Sequence, residues 1–201
     1  MTLTELQAEV YTLTNRPDLT AQTLAAVRSA TLKLHQLDYF YKDLFETGIV
    51  FSTSEFFQSF EYRTLIPRWR ALKYLRKFDI SVTPGLAGAF FNVLVPENVL
   101  DDYFQHKEDV CYVAGSVLQI RSSTSFTNAL LGCYLNPVIT EAGYDAGNSF
   151  IAVEHPYAII YDAAATVFKT IGKSDESAAY RQLSGQFAQE IITSNVRSTG
   201  E

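Results

Sequence analysis

The sequence predicts an α+β fold, in which N- and C-terminal helices form a small helical bundle with an inserted antiparallel β-sheet or hairpin region. Apolar residues recur at helical spacing near both termini, whereas the middle of the chain is rich in β-branched and aromatic residues. We expect a single domain, 1–201, in which 1–46 and 154–192 form the bundle, 47–153 is mostly β, and 193–201 is a C-terminal tail.

The strongest helical signal runs from His155 to Asn195 and predicts two helices folded back on each other. Pro156 suits a first helical position, Gly172 supplies a left-handed residue that ends the first helix, and Ser174 can cap the second. A joint this short makes the helices antiparallel, so their apolar stripes share one core. The stripes are Tyr157, Ile160, Tyr161, Ala164, Phe168 and Ile171, and then Tyr180, Leu183, Phe187 and Ile191.

Two further helices are predicted at the N-terminus. Thr2 and Glu5 have the spacing of a capping box, and the short amphipathic helix that they open ends before Pro17. Asp18 opens a longer, alanine-rich helix that runs to about Leu37. Together with the C-terminal pair, these helices are enough for a small bundle.

The clearest β signal predicts a three-stranded meander. A hairpin joins Val110–Val113 to Val117–Arg121 through a turn at Ala114 and Gly115. A polar loop, Ser122–Ser125, then leads to a third strand, Thr127–Leu135.

The remaining middle segments carry weaker signals. Ile49–Ser52 and Phe90–Val95 are predicted strands. Leu65–Phe78 is ambiguous, because its apolar residues suit a helix and its charge alternation suits a strand; we favour a strand. Its apolar residues at helical spacing are Trp69, Leu72 and Leu75. Loops are expected at Ser81–Gly88 and Gly143–Ser149, and one or two helical turns at Pro96–Tyr103.

Composition and charge exclude several classes of protein. With 201 residues, of which 47% are hydrophobic and 19% charged, the chain can bury one sizeable core. A formal charge of −6 argues against tight binding of a phosphate backbone, but it allows passive contact with DNA. No segment approaches the roughly 20 apolar residues of a membrane helix. Met1–Val10 is polar where a signal peptide is apolar, so we expect a protein made and kept in a cytoplasm.

The sequence contains no recognisable catalytic, cofactor-binding or metal-binding motif. Cys111 and Cys133 have no partners at metal-ligand spacing. Buried reduced thiols explain them best, and a bridge between adjacent strands is the alternative. His35 near a helix end suggests partial burial or an interaction with the helix dipole, and His155 indicates a helix N-terminus.

One stretch brings an imidazole close to several carboxylates. His106 follows Asp101 and Asp102 and precedes Glu108 and Asp109. Such groups could hold a divalent metal, but a solvated acidic turn has the same composition. We therefore predict no metal ligands here.

Aromatic residues are concentrated in one segment, where they could serve a core or a subunit interface, and we favour the core. They are Tyr39, Phe40, Tyr41, Phe45, Phe51, Phe56, Phe57, Phe60 and Tyr62.

Six cations and no acid lie between Glu61 and Asp79. In an acidic chain, such a segment faces DNA or a neighbouring acidic surface, unless it is simply a strand with one solvated basic face. The cations are Arg63, Arg68, Arg70, Lys73, Arg76 and Lys77.

Three stretches of the chain form a recognisable order. A short helix ending in Leu13–Asp18 passes directly into an alanine-rich helix; Tyr112–Arg121 is followed by Cys133–Pro137; and His155–Phe168 leads into a second helix with Ala179–Leu183. Read together, they cover most of the chain. The pattern resembles the head-to-tail adaptor, or connector, proteins of tailed bacteriophages.

The resemblance implies a structural virion protein in the neck between head and tail, without enzymatic activity or cofactor. Such adaptors, made in the host cytoplasm, assemble as a homo-oligomeric ring, usually twelvefold, under the portal. They extend the DNA channel and provide a platform for the tail. The implied partners are other copies of the chain, the portal protein, tail or nozzle proteins, and viral DNA in passive contact, with no membrane.

The resemblance also suggests roles for three segments. The C-terminal tail, with Thr193, Ser194, Asn195, Val196 and Arg197, would dock on the portal and order only on binding. The β insertion would face the tail, and the basic segment would line either the channel or a subunit interface.

Two other classes remain as alternatives. A tail terminator or similar neck component would contain more β-structure and lack the C-terminal helical hairpin. A small metal-dependent hydrolase or nuclease would use Asp101, Asp102 and His106.

Overall fold

A computed structural model describes most of the chain, in the stretches 1–79, 86–94, 108–139 and 149–199. The fold is α+β, as the sequence predicts. The chain divides into two compact units. Unit 1 combines Met1–Asp43 with Asn136–Glu201, and unit 2 is Leu44–Leu135.

Helices dominate unit 1, and strands dominate unit 2. The helices are α1 (Leu3–Thr14), α2 (Thr20–His35), α3 (Tyr62–Leu65), α4 (Phe150–Glu154), α5 (Pro156–Thr170) and α6 (Ser174–Thr199). The strands are β1 (Leu44–Glu61), β2 (Trp69–Asp79), β3 (Leu86–Phe90), β4 (Asn92–Val93), β5 (Val110–Ala114) and β6 (Val117–Leu135).

The capping box at the start of α1 is confirmed. The Thr2 hydroxyl accepts a hydrogen bond from the Glu5 backbone N–H at 3.2 Å, and the Glu5 carboxylate accepts one from the Thr2 backbone N–H at 2.8 Å. α1 ends at Asn15 in the left-handed conformation, with φ 52°. α2 begins at Thr20 rather than Asp18, because the Asp18 carboxylate binds the Arg16 guanidinium at 2.7 Å instead of capping a helix.

The C-terminal helical hairpin is also confirmed, although its buried surface is wider than predicted. Gly172 has φ 80° and separates α5 from α6, of which Ser174 is the first residue. α5 packs against α1, α2 and α6, so it is buried around most of its circumference, while Tyr157 is 48% exposed. The buried core residues of α5 are Ala158, Ile159, Ile160, Ala163, Ala164, Val167 and Phe168.

The C-terminal tail differs from its prediction. α6 continues to Thr199, so Thr193–Arg197 are helical instead of ordering only on binding. The short polar segment extends a helix that is already nucleated, and adding residues to an existing helix costs far less than starting one.

Unit 2 is built on one mixed sheet with the order β3-β2-β6-β5-β4, and β1 pairs with β6 outside this path. The pairs are antiparallel except for β4 and β5, which are parallel, so the predicted antiparallel sheet requires that correction. The predicted hairpin is confirmed: β5 and β6 are joined by Gly115, which has φ 64°, and Ser116.

The predicted loop Ser122–Ser125 is wrong, because β6 runs without interruption from Val117 to Leu135. The hydroxyls of Ser122 and Ser123 donate to Asp109 at 3.3 and 2.7 Å. Polar side chains with partners do not need a loop. The strand predicted at Thr127–Leu135 is therefore the second half of β6, and no separate third strand completes a meander.

The ambiguous segment Leu65–Phe78 is a strand from Trp69 onward. β2 gains one residue relative to β6 at Arg70 and another at Lys73, which identifies two bulges. The bulges bring Trp69, Leu72 and Leu75 to the core side at three-residue spacing. That spacing is the reason the sequence also suits a helix.

The core of unit 2 lies on one face of this sheet. It includes both cysteines, which are free and buried as predicted; burial raises the pKa of Cys111 to about 12 and that of Cys133 to about 11. On the opposite face, the ring of Tyr74 lies over Gly132, where a Cβ would come within 2.4 Å of the ring. Other buried members of this core are Ile49, Phe60, Tyr62, Ile66, Leu75, Phe91, Leu118, Ile120, Phe126, Ala129 and Leu131.

The remaining predicted segments have mixed outcomes. Ile49–Ser52 lies inside the longer β1, and Phe90–Val95 is divided between β3 and β4 at the buried Phe91. Leu86–Gly88 belongs to β3 and not to the predicted loop, whose first residues lie outside the described stretches. Pro96–Tyr103 and most of Gly143–Ser149 also lie outside them.

Candidate functional site

The acidic segment around His106 contributes little to a described site. Asp101, Asp102 and His106 lie outside the described residues, within which no group of three or more His, Cys, Asp or Glu side chains could hold a metal ion. Asp109 has φ 56° and accepts hydrogen bonds from Ser123, while Lys77 Nζ lies 2.9 Å from its carboxylate. Burial raises the pKa of Asp109, but these bonds outweigh it and hold the pKa at about 2.

A buried Ser–His–Asp arrangement, which the sequence did not reveal, lies in unit 1. Nδ1 of His35 is 2.8 Å from Oδ2 of Asp43, and Nε2 of His35 is 2.9 Å from the Ser149 hydroxyl. The order of atoms is the one used by hydrolytic triads. His35 is the last residue of α2, Asp43 ends the 3₁₀ turn Tyr41–Asp43, and Ser149 precedes α4, so three separate elements are joined.

The surroundings of these three side chains favour a structural role. The side chains of His35 and Asp43 are 1% and 7% exposed, and Ser149 is 1% exposed, so the hydroxyl is closed to solvent. Ser149 also caps α4 by accepting a hydrogen bond from the Ala152 N–H at 3.2 Å. The ring of Phe150 packs edge-on against the imidazole, with 5.1 Å between centroids. A nucleophile must reach a substrate, whereas this hydroxyl holds two parts of unit 1 together.

The six predicted cations do not form one surface. Lys77 lies on the core side of β2, beside the ring of Phe91 and bound to Asp109. Arg76 stacks on Phe90, with its Cζ 4.5 Å from the ring centroid, and donates to the Gly88 carbonyl. The register therefore separates neighbouring cations onto opposite faces.

The other four cations lie nearer the start of β2. Lys73 lies over the ring of Tyr134, with 5.9 Å between Nζ and the centroid. Arg63 and Arg70 line a groove of about 620 Å³ beside the rings of Tyr62 and Trp69, whose centroids are 4.4 Å apart. Arg68 precedes β2 and is partly buried.

The predicted docking residues Thr193–Arg197 form the end of α6, where Asn195 contacts another part of unit 1. Asn195 Oδ1 accepts a hydrogen bond from the Tyr41 backbone N–H, and its Nδ2 donates to Asp38, both at 3.3 Å. Val196 is 42% exposed. Asn195 thus connects this end of α6 to the segment that follows α2.

The aromatic segment is more exposed than predicted. Phe40, Phe60 and Tyr62 are buried as core residues. Most of the rest lie in solvent: the exposed members are Tyr39 (54%), Tyr41 (43%), Phe45 (41%), Phe56 (60%) and Phe57 (49%). These side chains suit the alternative, a subunit interface, better than the favoured core.

Comparison with known proteins gives no relative: no protein-family model matches the chain, and no curated protein matches it significantly. Within the described residues, no helix combines the length and apolar character needed to cross a membrane.

Proposed function

We propose that this chain is a head-to-tail adaptor subunit of a tailed bacteriophage, which forms a ring on the portal protein. In this proposal, the helices of unit 1 are a small helical bundle and the sheet of unit 2 is an insertion that faces the tail. The ring sits in the neck of the virion, extends the DNA channel and offers a platform to tail or nozzle proteins.

The observation that carries the proposal is the number of large apolar side chains in solvent. In unit 2, Val50 is 73% exposed and Phe56 is 60% exposed; in unit 1, Tyr39 and Val153 are 54% and 59% exposed. Exposed apolar side chains that gather into patches mark protein–protein contacts. A ring subunit needs such surfaces on several sides, because it meets two identical neighbours and a portal.

The polar groups of the described residues also support a structural role. His35, Asp43 and Ser149 have the right chemical types for hydrolysis, but they are buried and bound to one another. The C-terminal hairpin of α5 and α6 favours an adaptor over a tail terminator, for which we expected none.

The direct test is the mass of the purified chain with and without a portal ring. Native mass spectrometry should show the portal mass increased by a whole number of subunits, twelve for a twelvefold portal. An unchanged portal mass would exclude the adaptor role. Binding to a tail tube instead of the portal would favour a tail terminator.

A second test concerns the end of α6. Deletion of Thr193–Glu201 should abolish portal binding while leaving the subunit folded, because the core residues of α6 precede the deletion. Glu190→Ala, an exposed change on the same helix, is the matched control and should bind normally. If the truncated chain binds the portal as well as the wild type does, this segment is not the docking site.

The hydrolase alternative has its own experiment. It predicts a divalent-dependent activity in the wild-type chain that Asp102→Ala abolishes. A wild-type chain that stays inactive with magnesium, manganese and zinc would dismiss this alternative without bearing on portal binding.

A further inference from the structure

β1 is a long strand that has a neighbouring strand on one side. It pairs with β6, whose other side is occupied by β2 and β5, so within the described stretches the second edge of β1 faces no strand. Such an edge presents backbone N–H and C=O groups that another strand can bind. Proteins commonly protect edges with Lys or Pro, but the 18 residues of β1 contain no Lys, Arg or Pro.

The side chains of β1 add apolar surface to this open edge. Val50, Phe56 and Phe57 are 73%, 60% and 49% exposed, and none belongs to the core of unit 2. Between Val50 and Phe57, register shifts interrupt the regular pairing of β1 with β6. A strand added here would gain backbone hydrogen bonds and bury apolar surface together.

β3 forms the opposite margin of the same sheet. Among the residues that the structure describes, the strand order ends at β3, which pairs with β2, and at the two-residue strand β4. Gly88 and Ala89 are small and exposed, so another backbone can approach, and Phe90 offers an apolar side chain that is 57% exposed. Both β1 and β3 are therefore edge strands with exposed apolar side chains, and each can pair with another strand.

Charge distinguishes which margins can meet. The charged residues of β1 are Glu46, Glu55 and Glu61, all acidic. The part of β2 that pairs with β3, residues 76–79, carries two cations and one acid: Arg76, Lys77 and Asp79. Pairing β1 with β1 of a second copy would bring together two strands whose charges are all negative, whereas placing β1 on the β3 margin brings its acidic residues towards a segment of net positive charge. The charges thus favour a head-to-tail contact over a two-fold one.

We infer that β1 of one copy adds as an extra strand to the β3 margin of the next copy, forming a continuous intermolecular sheet. This inference rests on the proposed function and deepens it by naming the edges through which adjacent subunits join. The occupant of the open edge is a second copy of this chain, and the contact leaves a free β1 and a free β3 at the two ends of any open oligomer.

The test combines sedimentation velocity with hydrogen–deuterium exchange on the full chain at increasing concentration and on any ring formed with a portal. Amides of β1 and β3 should exchange more slowly as the chain associates. Val50→Lys and Phe56→Lys, which place a charge at exposed positions, should raise the dissociation constant at least about tenfold. Leu65→Lys is the matched control, because Leu65 is 66% exposed and lies outside β1.

The outcomes separate this inference from the proposed function. Circular dichroism should show that all three variants fold as monomers. A loss of association can then be assigned to the change at the open edge of β1. Equal association of the Val50 and Leu65 variants would overturn the inference, as would protection of β1 only after tail proteins are added. If a ring forms on the portal while the β1 amides still exchange fast, the proposed function stands and the inference is wrong. If the chain associates through β1 but does not bind the portal, the inference stands and the proposed function is wrong.

Discussion

Two polar networks, one in each unit, hold together segments that are distant in sequence. In unit 1, His35 joins Asp43 to Ser149; in unit 2, Asp109 joins Lys77 to the serines of β6. The first network is closed to solvent, since the Asp43 side chain is 7% exposed. The second is open, because the Asp109 side chain is 38% exposed.

Similar bonds should therefore contribute unequally to the stability of the two units. When a partner is removed from the closed network, each group left behind stays buried and loses a hydrogen bond that water cannot replace. When a partner is removed from the open network, water and salt can take its place. Four substitutions with progressively smaller effects on stability test this contrast.

His35→Ala should produce the largest loss. It removes the centre of the closed network and leaves the Asp43 carboxylate buried without its imidazole partner, at a cost of roughly 3 kcal/mol or more. Urea unfolding followed by the helical signal in circular dichroism measures the change. Gln36→Ala, at an exposed neighbouring position, is the control and should unfold like the wild type. Equal stability of both variants would show that the buried triad contributes nothing.

Ser149→Ala should have a smaller effect on the same network. It removes the N-cap of α4 and the hydroxyl facing His35, but the bond between His35 and Asp43 remains. Loss of such a cap costs about 1–2 kcal/mol. Ser149→Thr keeps the hydroxyl and should recover part of the stability in the same urea experiment. A threonine variant as unstable as the alanine variant would point to packing instead of hydrogen bonding.

Asp109→Asn should change how the stability of unit 2 depends on pH. The folded-state pKa of Asp109 is about 2 and its ordinary value is 3.8. Its contribution is therefore fully present above 3.8 and is lost as the pH falls to about 2. The variant does not titrate, and asparagine tolerates the left-handed backbone at this position. Fluorescence of Trp69, the single tryptophan, reports the unfolding of unit 2; equal acid sensitivity of both proteins would contradict the assignment.

Asp18→Ala should have the smallest effect. Asp18 binds Arg16 in a paired arrangement with two 2.7 Å contacts, but both side chains are well exposed. The hydrogen bonds from Arg16 lower the pKa of Asp18, yet solvent screens the pair. The unfolding midpoint should stay within error of the wild type. A large loss would mean that exposure does not decide the value of these networks.

The parts of the fold that the sequence predicted depend on local chemistry. Thr2 with Glu5, Pro156 and Gly172 mark helix ends through interactions a few residues away, and all three signals are confirmed. β6 was divided wrongly because Ser122–Ser125 read as a loop. Their partner, Asp109, lies more than ten residues earlier, and nothing in the local pattern reveals the bond.

The candidate sites were less predictable because they depend on register and on distant contacts. His35 and Ser149 are separated by 114 positions, so only the folded chain brings them together. The basic segment reads as a single run, but the bulges at Arg70 and Lys73 change which way each side chain points. An inserted residue reverses the alternation of a strand, and the sequence carries no simple signal for it.

The contact between Tyr74 and Gly132 limits which sequences this sheet can accept. A glycine usually weakens a strand, but here the absence of a side chain at position 132 leaves the space that the Tyr74 ring occupies. Natural variation at these two positions should therefore be linked: a chain that acquires a β-branched residue at 132 must also give up the ring at 74.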